Sequence, residues 1–145
     1  LFSNMAAFGV IASVENRTGR TDIAAYNGFY KTNPRLALVM MLAVFSLAGI
    51  PPLGGFFSKF FIYASAAGEG DYVRVFIALL NTIISLYYYL RVVKAMYINK
   101  SDEPIAAFRS DNYTRAALLI CTLGITVLSI VSASYESIGR YAFGM

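Results

Sequence analysis

Apolar residues along this chain fall into four long blocks, separated by short stretches that hold most of the charges. The blocks run over residues 1 to about 14, 36 to 67, 72 to 98 and 114 to 134. A helix needs about 20 apolar residues to cross a bilayer. The third and fourth blocks meet that length. The first does so only if its helix begins upstream, as the apolar opening Leu1-Phe2-Ser3-Asn4-Met5-Ala6-Ala7-Phe8 suggests. The chain therefore reads as the C-terminal part of a larger membrane protein, and a signal peptide is not expected.

The second block does not fit one straight helix. Its length corresponds to ~48 Å of helix against a hydrocarbon core of ~30 Å. It is interrupted by Ala48-Gly49-Ile50-Pro51-Pro52-Leu53-Gly54-Gly55. Pro51 and Pro52 lack backbone donors, and Gly54 and Gly55 add backbone freedom. This pattern predicts helices over 34–49 and 55–67 with a non-helical link at 50–55. Asn33 and Pro34 supply an N-cap and a first-turn proline. Broken helices of this kind line ion and substrate sites in transporters.

Just past the break stands Lys59, alone among apolar neighbours. A charge at the centre of a membrane helix costs roughly 2.5 kcal/mol or more. One reading makes Lys59 the counter-charge of a carboxylate elsewhere in the bundle. The other makes it a proton carrier, because desolvation disfavours the ammonium and a nearby carboxylate restores it. Ser46 and Ser58 flank the break and are able to bond its freed backbone groups.

The third block places Asn81, Ser85 and Tyr89 four apart on one helical face, with Thr82 and Tyr88 beside them. The stripe reads either as a hydrated path facing Lys59 or as hydrogen-bonding glue between helices. Arg91 and Lys94 read as snorkelling anchors beside an aromatic belt at 87–89. In the fourth block, Thr122, Thr126 and Ser129 read as packing residues.

Composition strengthens the membrane assignment. Of 145 residues, 58% are hydrophobic and 14% charged, and the mean hydropathy is +0.60; soluble domains carry about 25% charged residues. With no histidine and only Cys121, the chain supports neither an iron–sulfur cluster, a histidine-ligated haem nor a typical zinc site. An internal disulfide is likewise excluded. The basic residues explain the net charge of +4 without invoking nucleic acid. Arg17, Arg20, Lys31 and Arg35 precede the second block, and Arg91, Lys94, Lys100, Arg109 and Arg115 bracket the segment between the third and fourth. Only Arg74 and Arg140 lie on the other side. The positive-inside rule then predicts cytoplasmic loops at 15–35 and 95–113 and a periplasmic C-terminus. The glycosylation triplets at Asn16, Asn99 and Asn112 read as chance.

The run from Leu36 through Phe60, with its Ala48-Gly49-Ile50-Pro51-Pro52 core and Lys59, resembles the signature of antiporter-like membrane subunits of respiratory complex I. Ile84-Ser85-Leu86-Tyr87-Tyr88-Tyr89-Leu90-Arg91-Val92-Val93-Lys94 and the stretch 26–35 resemble the N-type branch of that family. The resemblance implies an all-α integral membrane fold. It implies fourteen helices with two inverted five-helix repeats, of which this chain would be the last four helices and hold the second broken one. Lys59 matches the family's lysine on that helix; the lysine and glutamate that usually accompany it lie on earlier helices. The implied activity is proton translocation coupled to quinone reduction in a bacterial inner membrane. The implied partners are the other membrane-arm subunits, the lipid bilayer and protons, with NADH, flavin, iron–sulfur clusters and quinone carried by partner subunits. A subunit of a stand-alone cation/proton antiporter, sharing the same central motif, and a structural membrane scaffold are the alternatives.

Overall fold

A computed structural model describes residues 1–51 and 53–143. Its elements are helical: α1 (Phe2–Thr18), a 3-10 turn (Ile23–Tyr26), α2 (Phe29–Thr32), α3 (Pro34–Ala48), α4 (Gly54–Gly68), α5 (Tyr72–Tyr97) and α6 (Asn112–Phe143). No strand occurs among the described residues. The long apolar stretches Tyr72–Tyr97 and Asn112–Ser132 are each able to cross a membrane. At ~22 Å apiece, α3 and α4 are each too short to cover that thickness alone.

The apolar core is built where α1 packs on α3 and α6. Val10 and Val14 of α1, Phe29 of α2 and Met96 of α5 are fully enclosed. Large apolar side chains on α5 and α6 remain exposed, among them Phe76, Ile83, Leu119 and Leu123. Such faces suit hydrocarbon or neighbouring helices, not water.

The two basic loops meet at one end of the bundle. Arg17 pairs with Asp111 at 3.4 Å. The Gly28 N–H donates to the Ala95 carbonyl at 3.1 Å, and the Asn99 amide donates to the Asn27 side-chain oxygen at 3.1 Å. Asn33 occupies the position before α3, with Pro34 opening the helix, yet its side chain makes no cap bond. Instead its amide donates to the Ala106 carbonyl and its oxygen accepts the Phe108 N–H. The expected N-cap is thus a clamp on the segment that leads into α6. Pro34 at the first helical position leaves one fewer unpaired N–H at this helix start.

The break is shifted from its expected position. The described non-helical residues are 49–51 and 53, Pro52 lying outside the described residues, and Gly54 and Gly55 already belong to α4. Both glycines are in the helix for tertiary reasons set out below. The short helical turns between 23 and 32 were not expected from the polar character of that loop. α6 also extends well past its apolar block.

Candidate functional site

The site forms where α3 stops and α4 starts. Gly49 adopts a left-handed conformation, φ 81, which a side chain would oppose. Its N–H bonds the Ser46 carbonyl at 3.2 Å, and the Ile50 N–H bonds the Phe45 carbonyl at 3.1 Å. This is a Schellman ending. It leaves the carbonyls of Leu47 and Ala48 without helical donors. In a continued helix those donors would come from residues 51 and 52, but both are prolines and have no N–H.

Lys59 supplies what the prolines lack. Its Nζ donates to the Leu47 carbonyl at 3.0 Å and to the Ala48 carbonyl at 3.1 Å. A residue on the second half-helix therefore caps the first, and its stem packs over Gly49, where an added Cβ would stand 3.1 Å from Lys59 Cδ. The carbonyl end of α3 is the negative pole of its dipole, so it favours a cation. Among the described residues Lys59 has no carboxylate partner; the two ion pairs are Arg17–Asp111 and Arg74–Asp71. Among the described residues the amine is held by the two neutral carbonyl oxygens.

The start of α4 is fixed from two sides. The Gly54 N–H donates to Ser129 Oγ at 2.8 Å, and that hydroxyl donates in turn to the Ile125 carbonyl at 2.7 Å. Ser129, 8% exposed, thus caps α4 from α6. Gly55 lies so close to the Ser46 carbonyl oxygen that any Cβ there would overlap it. Only glycine permits this approach of the two half-helices.

Ser46 does not serve the freed backbone with its hydroxyl, which accepts from Ser3 of α1 at 2.8 Å. Ser58 is exposed and makes a long bond of 3.4 Å to the Gly54 carbonyl. Thr122 and Thr126 bond carbonyls within their own helix. Ser129 was read with them as packing, yet its spacing alone gave no sign of the distant Gly54 N–H.

The polar stripe of α5 divides. Asn81 is exposed, Ser85 bonds the Asn81 carbonyl of its own helix, and Tyr89 packs against the core. The contact between α4 and α5 runs through Thr82, which meets Tyr63 hydroxyl to hydroxyl at 2.7 Å, with the Ala78 carbonyl alongside. The expectation that Asn81 turns toward the Lys59 helix is therefore not met. A 100° step separates Asn81 from Thr82, so the contact that takes Thr82 carries Asn81 away.

Comparison with known proteins places this arrangement. The transmembrane family described as NADH:quinone oxidoreductase/Mrp antiporter matches residues 1–85. NADH-quinone oxidoreductase subunit N of Azobacteroides pseudotrichonymphae is 59% identical over 100% of this chain and 31% of its own length. The subunit of the same name from Phocaeicola vulgatus is 56% identical over 92% of this chain and 29% of its own length. In respiratory complex I from Thermus thermophilus with bound aureothin, one chain superposes with a TM-score of 0.72 at 28% identity, over 91% of this chain and 32% of that one. The chain spans about a third of the length of these relatives (31% of the first). With the family match reaching from α1 through the break and Lys59 into α5, the chain belongs to the NADH:quinone oxidoreductase/Mrp antiporter transmembrane family.

Proposed function

We propose that this chain is part of a proton-translocating membrane subunit of an NADH:quinone oxidoreductase, with Lys59 as the group that takes up and releases the proton. The observation that carries the reading is the double bond of the Lys59 amine to the Leu47 and Ala48 carbonyls across a helix break. A charged amine makes hydrogen bonds roughly twice as strong as a neutral one. Loss of the proton loosens the hold of α4 on the end of α3, and its return tightens it. Protonation and the geometry of the break are thereby coupled. Because no carboxylate among the described residues fixes the charge, a carboxylate or lysine on other helices is free to set it.

In this reading NADH, flavin, iron–sulfur clusters and quinone are carried by partner subunits, with other membrane-arm subunits as neighbours. The meeting of the basic loops through Arg17, Asn27 and Asn33 supports a common cytoplasmic end in a bacterial inner membrane. The C-terminus of α6 is then periplasmic.

The test uses the whole complex reconstituted in vesicles, with NADH oxidation and internal acidification followed together. Lys59→Arg keeps a cation at the break but holds its proton, and it is expected to assemble and pump poorly. Lys59→Ala is expected to pump poorly and to be less stable as well. Full pumping per NADH by assembled Lys59→Ala complexes would sink the reading.

A further inference from the structure

We infer that the cleft between the start of α3, the 107–110 segment and the first turns of α6 binds the phosphodiester headgroup of an anionic phospholipid. The inference goes beyond the proton path, which lies at the other end of α3. The cleft encloses ≈ 820 Å³, within the usual range for small-molecule sites. Arg35, Arg109 and Arg115 line it, and none of its lining residues is acidic. Among the described residues none of these arginines makes an ion pair. Asp111, the nearest carboxylate in sequence, is engaged by Arg17 instead.

A second observation points to a ligand. The Ser110 hydroxyl oxygen is buried and has no hydrogen-bond partner among the described residues. A hydroxyl removed from water normally finds one; Ser110 lines the same cleft as the three arginines, and a turn of its side chain toward that cleft gives the hydroxyl a phosphate oxygen as acceptor. The amino end of α6 adds its positive pole to the same side.

The rest of the lining decides which phosphate. Val39 and Leu119 continue the cleft along α3 and the membrane-crossing part of α6, and Leu119 is 63% exposed. A free phosphate has no use for such a wall, whereas an acyl chain lies along it. Basic pockets between helices at the charged end of a membrane protein recognise lipid headgroups in this way.

The full subunit in its assembled complex is placed in phosphatidylcholine nanodiscs containing a trace of photoactivatable phosphatidylglycerol, and the adducts are mapped to peptides. Label is expected on peptides carrying residues 35–39 or 115–119. The double change Arg35→Gln with Arg115→Gln is expected to weaken labelling about 25-fold, at roughly fivefold for each juxtamembrane arginine. Arg74→Gln, on an arginine paired with Asp71 at the start of α5, is expected to leave it unchanged. Unlabelled phosphatidylglycerol should displace the probe; phosphatidylcholine and inorganic phosphate should not. Absence of label there, indifference to the double change, or equal displacement by phosphatidylcholine would each overturn the inference. Displacement by inorganic phosphate alone would mark a free-anion site and overturn it too. If the double variant does not assemble, the competition on the unaltered complex decides.

Discussion

Replacing Ser129 by alanine removes one oxygen from α6 and leaves the first amide of α4 without its acceptor. The Gly54 N–H bonds that oxygen at 2.8 Å, and Ser129 is buried, so water does not simply take its place. A buried donor left unpaired costs about 1–3 kcal/mol. Loss of a side-chain cap at a helix start gives a similar ~0.5–2 kcal/mol. The second bond of the hydroxyl, to the Ile125 carbonyl, adds little, because that carbonyl keeps its helical partner. The change should therefore raise the population in which the start of α4 is open by roughly five- to 150-fold. Hydrogen exchange on the assembled complex reads this directly as faster exchange in the peptide covering residues 53–57, with α3 unaffected. Ser129→Thr keeps the hydroxyl and should preserve most of the protection. Unchanged exchange in Ser129→Ala, or equal loss in Ser129→Thr, would refute the reasoning.

Gly55→Ala should lower the yield of assembled complex, since its Cβ meets the backbone of Ser46 and overpacking against a rigid group costs ~1–3 kcal/mol or more; blue native electrophoresis measures it. Pro51→Ala should reduce proton transport more than assembly, because it offers an N–H where the Leu47 carbonyl now depends on Lys59, and paired pumping and yield measurements check this. Burial first, and the Glu15 carboxylate second, push the Tyr26 phenol above the usual 10.0. Its neutral form thus stabilises the fold below pH ~10 and this contribution is lost as pH rises through the higher folded value. Tyr26→Phe should be neutral or stabilising near pH 7, given a hydroxyl without a partner among the described residues, and should flatten the alkaline loss in thermal melts.

That a break falls at Pro51-Pro52 was legible, though its bounds were not, because proline chemistry is local: two consecutive residues without N–H groups inside a helix kink or end it. The same fact carried a further signal, since the residues four places earlier, Leu47 and Ala48, had to find other donors. That Lys59 is the donor depends on how α4 folds back, which sequence spacing does not state. Gly54 and Gly55 looked like link residues on intrinsic preference, yet tertiary proximity decides them, one offering its N–H to α6 and the other admitting the Ser46 carbonyl. The α5 stripe was misjudged at Asn81 because a four-residue spacing defines a face without saying which way the helix is turned. Asn33 illustrates the same limit. Its place at the helix start was readable, whereas its side chain was claimed by Ala106 and Phe108.

The bond between Gly54 and Ser129 joins positions 75 residues apart, and this has a consequence for biogenesis. A ribosome delivers α4 to the membrane well before α6, at about 5–20 residues per second. During that interval of several seconds α4 begins on an uncapped amide, and the joint with α3 rests on Lys59 and the close approach of Gly55 to Ser46, without the α6 cap. The arrival of the last helix completes it. A chain truncated before Ser129 would contain the lysine and both half-helices yet never close the joint, so a prematurely ended product should remain a loose, proteolysis-sensitive insert rather than a working leak for protons.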